Sequence, residues 1–159
     1  MQIDELDRQI LAYLQEDGRM SFVTLASELG VSEGTIRKRI RKLEENKVVN
    51  MVGITNPLRI GLDTVAFIWI EVDRHHMESA MNQLKELEAV RYLVVTTGSH
   101  DLVAMVVVPS REDLVILLND KLSKISGIIS TETSIVLQIH KQIHDWTPFQ
   151  HLKNESRGL

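Results

Sequence analysis

The sequence predicts an α+β protein in which a small helical domain precedes a sheet domain. Between residues 4 and 46, apolar residues recur at helical spacing in three short segments, separated by Gly18 and Gly30. From residue 63 onward, β-branched strands alternate with amphipathic helices in the order βαββαβ, the ferredoxin-like plan. Pro57 breaks the chain between the two patterns. We predict a helical domain at 1–55, a linker at 56–62, a sheet domain at 63–142 and a tail at 143–159.

Composition limits the class of function. The 159 residues carry a net charge of −4, so the chain as a whole is no basic nucleic-acid coat. Residues 1–60 hold nine Lys/Arg and nine Asp/Glu, so any positive surface is local. The absence of cysteine excludes disulfides and thiolate zinc sites and fits a reducing compartment. The longest apolar runs are strand-sized and the first residues are acidic, so we expect a cytoplasmic protein without a membrane segment.

The first three elements predict a helix-turn-helix. A one-sided helix spans residues 4–17, and Ser21 is a suitable N-cap for a second, shorter helix. Gly30 can end that helix in a left-handed conformation, and Ser32 can cap the third. Two helices joined by about four residues, the second of them basic, form the helix-turn-helix arrangement. Residues 47–55 have apolar residues around turn formers and predict a hairpin, the wing beside the helices.

The third helix has two different faces. Ile36, Ile40 and Leu43 form an apolar stripe, while five of the six residues 37–42 are cations. At 100° per residue, Lys38 and Arg41 point away from the stripe. We therefore predict DNA binding, with a solvated basic face as the alternative. Arg39 lies near the stripe, where an ion pair with an acid such as Asp7 or Glu28 is expected instead. The residues predicted to contact DNA are Ser32, Gly34, Thr35, Arg37, Lys38, Arg41 and Lys42.

The sheet domain is apolar on both faces. Its first strand, residues 64–72, places apolar side chains on both sides, which is typical of a strand covered twice. Helices cover only one face of a ferredoxin-like sheet, so we expect a second copy of the chain on the other. The remaining elements are predicted as a helix at 76–87, strands at 90–97 and 102–108, a helix from Ser110 to Ile125 and a long strand at 128–141.

At this point the chain resembles the Lrp/AsnC family of transcription regulators, over about residues 3–145. Each motif is short, but their order and spacing together are specific. The residues that carry the resemblance are Leu6, Asp7, Ile10, Leu11, Leu14, Gln15, Asp17, Gly18, Arg19, Leu25, Ala26, Val31, Ser32, Thr35, Ile36, Arg39, Ile40, Leu43, Glu44, Pro57, Gly61, Thr97, Gly98, Asp101, Leu102, Thr131, Glu132, Thr133, Ile135, Val136 and Leu137.

The resemblance implies a winged helix-turn-helix joined to a domain that regulates amino-acid metabolism (RAM, ACT-like). It also implies homodimers, often assembled to octamers, with small ligands bound between subunits. Two departures stand out. Asn46 and Lys47 replace a glycine that usually precedes the wing, and Ser99 and His100 replace residues that are commonly acidic and aromatic in the ligand loop.

A ligand site is predicted at the turn between the two middle strands. A free amino acid needs donors for its carboxylate and an acceptor for its ammonium group; a glycine turn offers N–H groups and Asp101 offers the acceptor. The alternative is that Gly98 only forms the turn and Asp101 only caps it. Hydroxyls from a facing subunit can add to the site. The predicted effector residues are Thr97, Gly98, Ser99, His100, Asp101, Thr131 and Thr133.

Taken together, these features predict a sequence-specific transcription regulator that needs no cofactor or metal. Its operator should be roughly palindromic, and an effector, most simply an amino acid, should act on assembly or DNA binding. A sirohaem-decarboxylase-like enzyme of the same plan is the alternative, with His75, His76, Arg91 and His100 as candidates. A ligand-sensing assembly module is a third. The intact cation cluster favours the regulator over both.

Overall fold

The computed structural model describes residues 2–142, so the predicted tail at 143–159 lies outside the described residues. The chain forms two compact units, one containing the three N-terminal helices and one spanning Ile54–Lys141. In the described part of the chain, no helix is long and apolar enough to cross a membrane. The first unit contains α1 (Glu5–Glu16), α2 (Phe22–Leu29) and α3 (Glu33–Glu45). The second contains β1 (Thr64–Val72), α4 (Met77–Lys85), β2 (Val90–Val95), β3 (Leu102–Val108), α5 (Arg111–Ile116) and β4 (Ile128–Ile135).

The three helices of the first unit share one apolar core. The stripe predicted on α3 is confirmed, since Ile36, Ile40 and Leu43 are all buried. They pack in one cluster with Ile10 of α1 and Leu25 of α2. The turn between α2 and α3 follows the predicted chemistry: Gly30 is left-handed, with φ 65°, and caps α2.

The segment after α3 corrects the predicted wing. No β-strand is formed within residues 47–55, although a hairpin was expected there. Val48, Val52 and Ile54 are exposed rather than packed on a neighbouring strand. An isolated two-stranded hairpin is marginally stable at best, because it buries little apolar surface. Turn formers and β-branched residues in this segment were therefore insufficient to form it.

The chain turns at Lys47, at the end of α3, rather than within a hairpin. Lys47 is the one non-glycine residue of the described chain with a positive φ, 56°. Its N–H donates to the Glu44 carbonyl (2.9 Å) and the next N–H, of Val48, donates to the Leu43 carbonyl (2.9 Å). This pair of hydrogen bonds is a Schellman motif, which places Lys47 at the position that helices usually give to glycine. The lysine thus adopts the backbone conformation expected of the glycine that it replaces.

Lys47→Gly should therefore stabilise the first unit. A left-handed conformation costs a residue with a Cβ about 1–2 kcal/mol, and the greater freedom of glycine in the unfolded chain offsets part of this. We expect the free energy of unfolding to rise by about 1 kcal/mol. Amide hydrogen exchange in α3 measures it. Lys47→Ala is the matched control, since it removes the charge but keeps the Cβ; equal protection in both variants would contradict the expectation.

The second unit has the predicted ferredoxin-like topology. Its strand order is β2-β3-β1-β4, and every neighbouring pair is antiparallel. Helices α4 and α5 cover one face, where Ile68, Ile70 and Leu102 meet Leu84 and Leu114 in a buried cluster. The sheet domain is therefore built as predicted, with its central strands at the centre of the core.

Two element boundaries differ from the prediction. The last strand ends at Ile135 rather than near residue 141, because β1 begins at Thr64 and the N–H of Val136 already bonds to the Val65 carbonyl (2.8 Å). The helix predicted from Ser110 to Ile125 changes form after α5, continuing as a π-helical turn at Leu117–Lys121 and a 3-10 turn at Leu122–Lys124. Leu117 and Leu122 are five residues apart and both buried. A π-helical turn brings residues at that spacing onto one side.

The second face of the sheet is apolar, as predicted. The register of β1 on β3 aligns Val65 with Val107, and Trp69 with Val103. Residues paired directly across two strands lie on the same face, so these four form one surface. Trp69 remains 37% exposed, and Tyr92 on β2 is 55% exposed. No helix of the described chain between residues 63 and 142 covers this surface.

Candidate nucleic-acid interface

The first turn of α3 is organised by its N-cap. The Ser32 hydroxyl accepts a hydrogen bond from the Thr35 N–H (3.1 Å) and lies 2.9 Å from the Thr35 hydroxyl. Gly34 follows the cap, and a Cβ added there would meet only Ser32 Oγ, at 3.8 Å. The packing within the chain therefore does not require glycine. Glycine is also a poorer helix former than alanine, so its use here is not explained by the fold.

The outward face of α3 is basic and exposed. Arg37 donates to Glu33 (2.6 Å) and Arg41 to Glu45 (2.8 Å), both as i,i+4 pairs. Such exposed pairs contribute only about 0.3–0.5 kcal/mol each, so another anion can replace the glutamate. Within residues 2–142, no acidic partner is found for the exposed Lys38 or Lys42. The structure thus places the predicted DNA-contacting residues on α3 and, for Ser32, at its N-cap.

Arg39 is the exception among the cations, as the sequence predicted. Its guanidinium donates to Asp7 of α1 (3.1 Å) and to Asp4, the N-cap of α1. The Asp7 side chain is 1% exposed. Hydrogen bonding from Arg39 lowers the pKa of Asp4, so this stabilisation is present above the ordinary Asp pKa and is lost as pH falls through the lowered value. Arg39 ties α3 to α1, whereas the other predicted acid, Glu28, instead contacts Tyr13 (3.3 Å).

Sequence analysis missed one residue beside the interface. The Arg37 guanidinium lies over the Phe22 ring, 5.2 Å from its centroid. Phe22 is the first residue of α2 and was given no role in the sequence analysis. The contact depends on how α2 and α3 cross, which the order of residues along either helix does not reveal. The i,i+4 acids of Arg37 and Arg41, in contrast, were readable from spacing alone.

The predicted ligand loop is held tightly to the sheet. Asp101 accepts the Val72 N–H (2.9 Å) at the bulge in β1, and the Asp101 N–H donates to the Ile70 carbonyl (3.0 Å). The Thr96 hydroxyl donates to the His100 carbonyl (2.9 Å). Gly98 has φ 119°, a conformation that side chains rarely adopt. Asp101 therefore has a structural role at the bulge of β1, whereas the alternative weighed above was that it caps its own turn.

The other predicted effector residues lie on two faces of the sheet. The His100 ring packs near Trp69, with centroids 6.1 Å apart, on the second face. Thr131 and Thr133 pair with Ile70 and Ile68, so they lie on the helix-covered face. There they line a groove of about 550 Å³ beside the π-helical turn. One chain therefore does not bring the threonines to the loop, and their predicted contribution requires a facing subunit.

Asp101→Ala should destabilise the second unit. The variant would leave the N–H of Val72, a residue that is only 3% exposed, without its acceptor, which costs about 1–3 kcal/mol. Asp101→Asn keeps a carbonyl oxygen and should retain most of the stability. If Asp101 also binds the ammonium group of a ligand, the asparagine variant should lose the rise in melting temperature caused by amino acids. Hydrogen exchange in β1 and a thermal panel of the twenty amino acids measure these effects; wild-type exchange in Asp101→Ala would contradict the capping role.

The residues of the alternative enzyme do not form one cluster. His75 and His76 lie in the turn after β1, where His76 packs against Gly127 and lies 3.3 Å from Asp73. His100 faces Glu132 at 3.9 Å on the second face, and Arg91 is exposed on β2. Across residues 2–142, no group of three or more His, Asp or Glu is placed to hold a metal ion.

Comparison with known proteins shows the same two-part plan. Residues 3–44 match the AsnC-type helix-turn-helix domain, and residues 65–145 match the Lrp/AsnC ligand binding domain. An uncharacterised HTH-type transcriptional regulator of Pyrococcus furiosus is 41% identical over 140 residues, covering 87% of this chain and 95% of its own. The HTH-type transcriptional regulator LrpA of Pyrococcus horikoshii is 33% identical over 137 residues, covering 86% and 97%.

A solved structure has the same fold over most of this chain. Escherichia coli AsnC has a TM-score of 0.83 at 33% identity, covering 89% of this chain and 97% of its own. The relatives described above are regulators rather than enzymes, so the decarboxylase-like alternative is not supported. With a helix-turn-helix domain, a ligand-binding domain and these relatives, the chain belongs to the Lrp/AsnC family of transcription regulators.

Proposed function

We propose that α3 is the recognition helix and that it enters the major groove of an operator with Lys38 and Arg41 foremost. One observation carries this proposal: the outward face of α3 is exposed and basic, while Arg39, the one cation near the core, is already paired. Lys38 and Lys42 suit phosphates, and an arginine can donate two hydrogen bonds to guanine. Arg37 and Arg41 would exchange their exposed glutamates for DNA.

The first turn of α3 supports a close approach to DNA. Ser32 and Thr35 present hydroxyls at the helix N-terminus, which attracts phosphate through its free N–H groups. Gly34 lies between them and is not required by packing within the chain. A residue without a Cβ lets the DNA backbone come nearer to the helix. Close approach of DNA would therefore explain why position 34 is a glycine, which packing within the chain does not require.

The second face of the sheet supports a homodimer. Its central valines are largely shielded, whereas Trp69 and Tyr92 at its surface remain exposed. A second copy provides an apolar surface of the same kind, since a two-fold interface is self-complementary. Two copies would carry two recognition helices, so the operator should be a pseudo-palindrome with half-sites about one helical turn apart. Further assembly to an octamer is part of the proposal by family resemblance.

The proposed effector is a free amino acid bound at the loop 97–101, with Thr131 and Thr133 supplied by a facing subunit. The loop offers the N–H groups around Gly98 and the side chain of His100, which is 25% exposed. Binding between subunits would link the ligand to assembly, and through assembly to the spacing of the helices on DNA. As a regulator of transcription, the protein would act in the cytoplasm.

Selection from a library of random DNA duplexes tests this function. The full chain should enrich one sequence family with two related half-sites. An amino acid that raises the melting temperature should change the affinity for the enriched duplex. A library that stays unenriched after repeated rounds, with or without amino acids, would contradict the proposal.

A further inference from the structure

Among the described residues, Arg37 is the one cation of α3 that contacts both an acid and an aromatic ring. Its guanidinium donates to Glu33 at 2.6 Å and lies over the Phe22 ring at 5.2 Å. Arg41, one turn later, also has an i,i+4 acid, at 2.8 Å from Glu45. Among the described residues, no aromatic ring lies over Arg41. Both arginines thus have an i,i+4 acid, but only Arg37 also has the ring.

The ring itself is fixed by the fold. Phe22 is the first residue of α2, and the Ser21 hydroxyl caps that helix by accepting the Thr24 N–H (3.1 Å). Phe22 is half-buried and packs against the core of the helical unit. The cap thus fixes the start of α2, the core contact limits the movement of the ring, and Arg37 lies over it. A guanidinium that lies over a fixed ring has fewer orientations open to it than a solvated one.

A fixed plane matters for reading bases more than for binding phosphates. Phosphate oxygens surround the groove and accept a hydrogen bond from a guanidinium in many orientations. Guanine offers O6 and N7 in one place and requires two donors in one plane. Of the five N–H donors of the guanidinium, one is given to Glu33 in an exposed pair that DNA can replace, and the others are available to DNA in either case.

We propose that Phe22 is a positioning residue for DNA readout, holding Arg37 so that its guanidinium donates two hydrogen bonds to a guanine in the operator. This inference rests on the proposed function of α3. Phe22 itself touches no base; it acts by limiting the orientations of Arg37. Its removal should therefore weaken the preference for one base pair and leave general attraction to DNA unchanged.

The test uses the full chain and the same library of random duplexes. Arg37→Lys keeps the charge but loses the planar fork, so the position at which guanine is no longer preferred marks the base that Arg37 reads. Phe22→Leu keeps an apolar side chain of similar packing but has no ring. It should lower the guanine preference at that position about two- to fivefold, the size expected of an exposed cation–π contact. Phe22→Trp should keep the preference.

Arg41→Lys supplies the matched control. It should mark a different base pair, and Phe22→Leu should leave the preference at that pair unchanged. An equal loss of preference at all positions, or no loss at the Arg37 position, would overturn the inference, because either result shows a structural role alone. In Phe22→Leu the affinity for unrelated duplex DNA should stay at the wild-type value, and the melting temperature should fall only slightly, because an apolar side chain still covers the core. If the wild-type chain enriches no sequence, the proposed function of α3 is wrong, and the inference about Phe22 is wrong with it. If the wild-type chain does enrich a sequence, the Phe22 variants test the inference alone.

Discussion

Arg39→Met should destabilise the helical unit by about 2–3 kcal/mol. The variant leaves the carboxylate of Asp7, 1% exposed, without its guanidinium partner. Removing one partner of a fully buried pair costs about 3–5 kcal/mol, and the partial exposure of Arg39 reduces that figure. Asp7 keeps one hydrogen bond, from the Asp4 N–H (3.2 Å), so the helix cap itself survives.

Hydrogen exchange of the amides in α1 and α3 measures the effect in the affected unit, which matters because the chain forms two units. Arg41→Met is the matched control on the same helix. Its pair with Glu45 is exposed on both sides, so the change in stability should stay within about 0.5 kcal/mol. Equal protection in the two variants would show that Arg39 does not tie α3 to α1.

The variant Lys38→Ala plus Arg41→Ala should lose operator binding by at least about a hundredfold at fixed salt. Each lost contact with a base or phosphate weakens binding, and a dimer loses each contact twice. Both side chains are exposed and outside the core, so the fold and the oligomer should be unchanged. Fluorescence anisotropy with the selected duplex measures affinity, and sedimentation velocity measures the oligomer.

Arg74→Ala plus Lys85→Ala removes the same charge from exposed positions in the second unit. If the affinity depends only on net charge, the two double variants will lose the same amount. We expect the control to retain affinity within a fewfold. If the variant Lys38→Ala plus Arg41→Ala keeps wild-type affinity, α3 is not part of the DNA interface.

Local pattern and topology were readable from the sequence. The buried side of α3 was identified from Ile36, Ile40 and Leu43. The spacing of 100° per residue also separated Arg39 from the outward cations. The βαββαβ order gave the strand order, since that plan has few alternatives. These features depend on residues near one another in sequence, where helical or strand periodicity decides the side on which a residue lies.

Features that depend on three-dimensional registration were not readable. The prediction of a hairpin was wrong from Lys47 onward, where the left-handed end of α3 is found instead of a strand. The face occupied by Thr131 and Thr133 follows from their pairing with Ile70 and Ile68, and a shift by one residue would have reversed it. The contact of Phe22 with Arg37 depends on the crossing of two helices. The proposed ligand role of the loop 97–101 also involves a facing subunit, which the sequence of one chain does not place.

Directed cleavage of DNA tests most directly whether two copies of α3 lie in adjacent major grooves. The sequence contains no cysteine, so a single Glu44→Cys variant can carry an iron chelate at one known position on α3. Glu78→Cys on α4 is the matched control, since both glutamates are exposed. On the selected operator, the α3 label should cut at two positions about one helical turn apart, roughly 10–11 base pairs, and the α4 label should cut weakly. A single cut from position 44, or equal cutting from both labels, would contradict a two-fold reader built on α3.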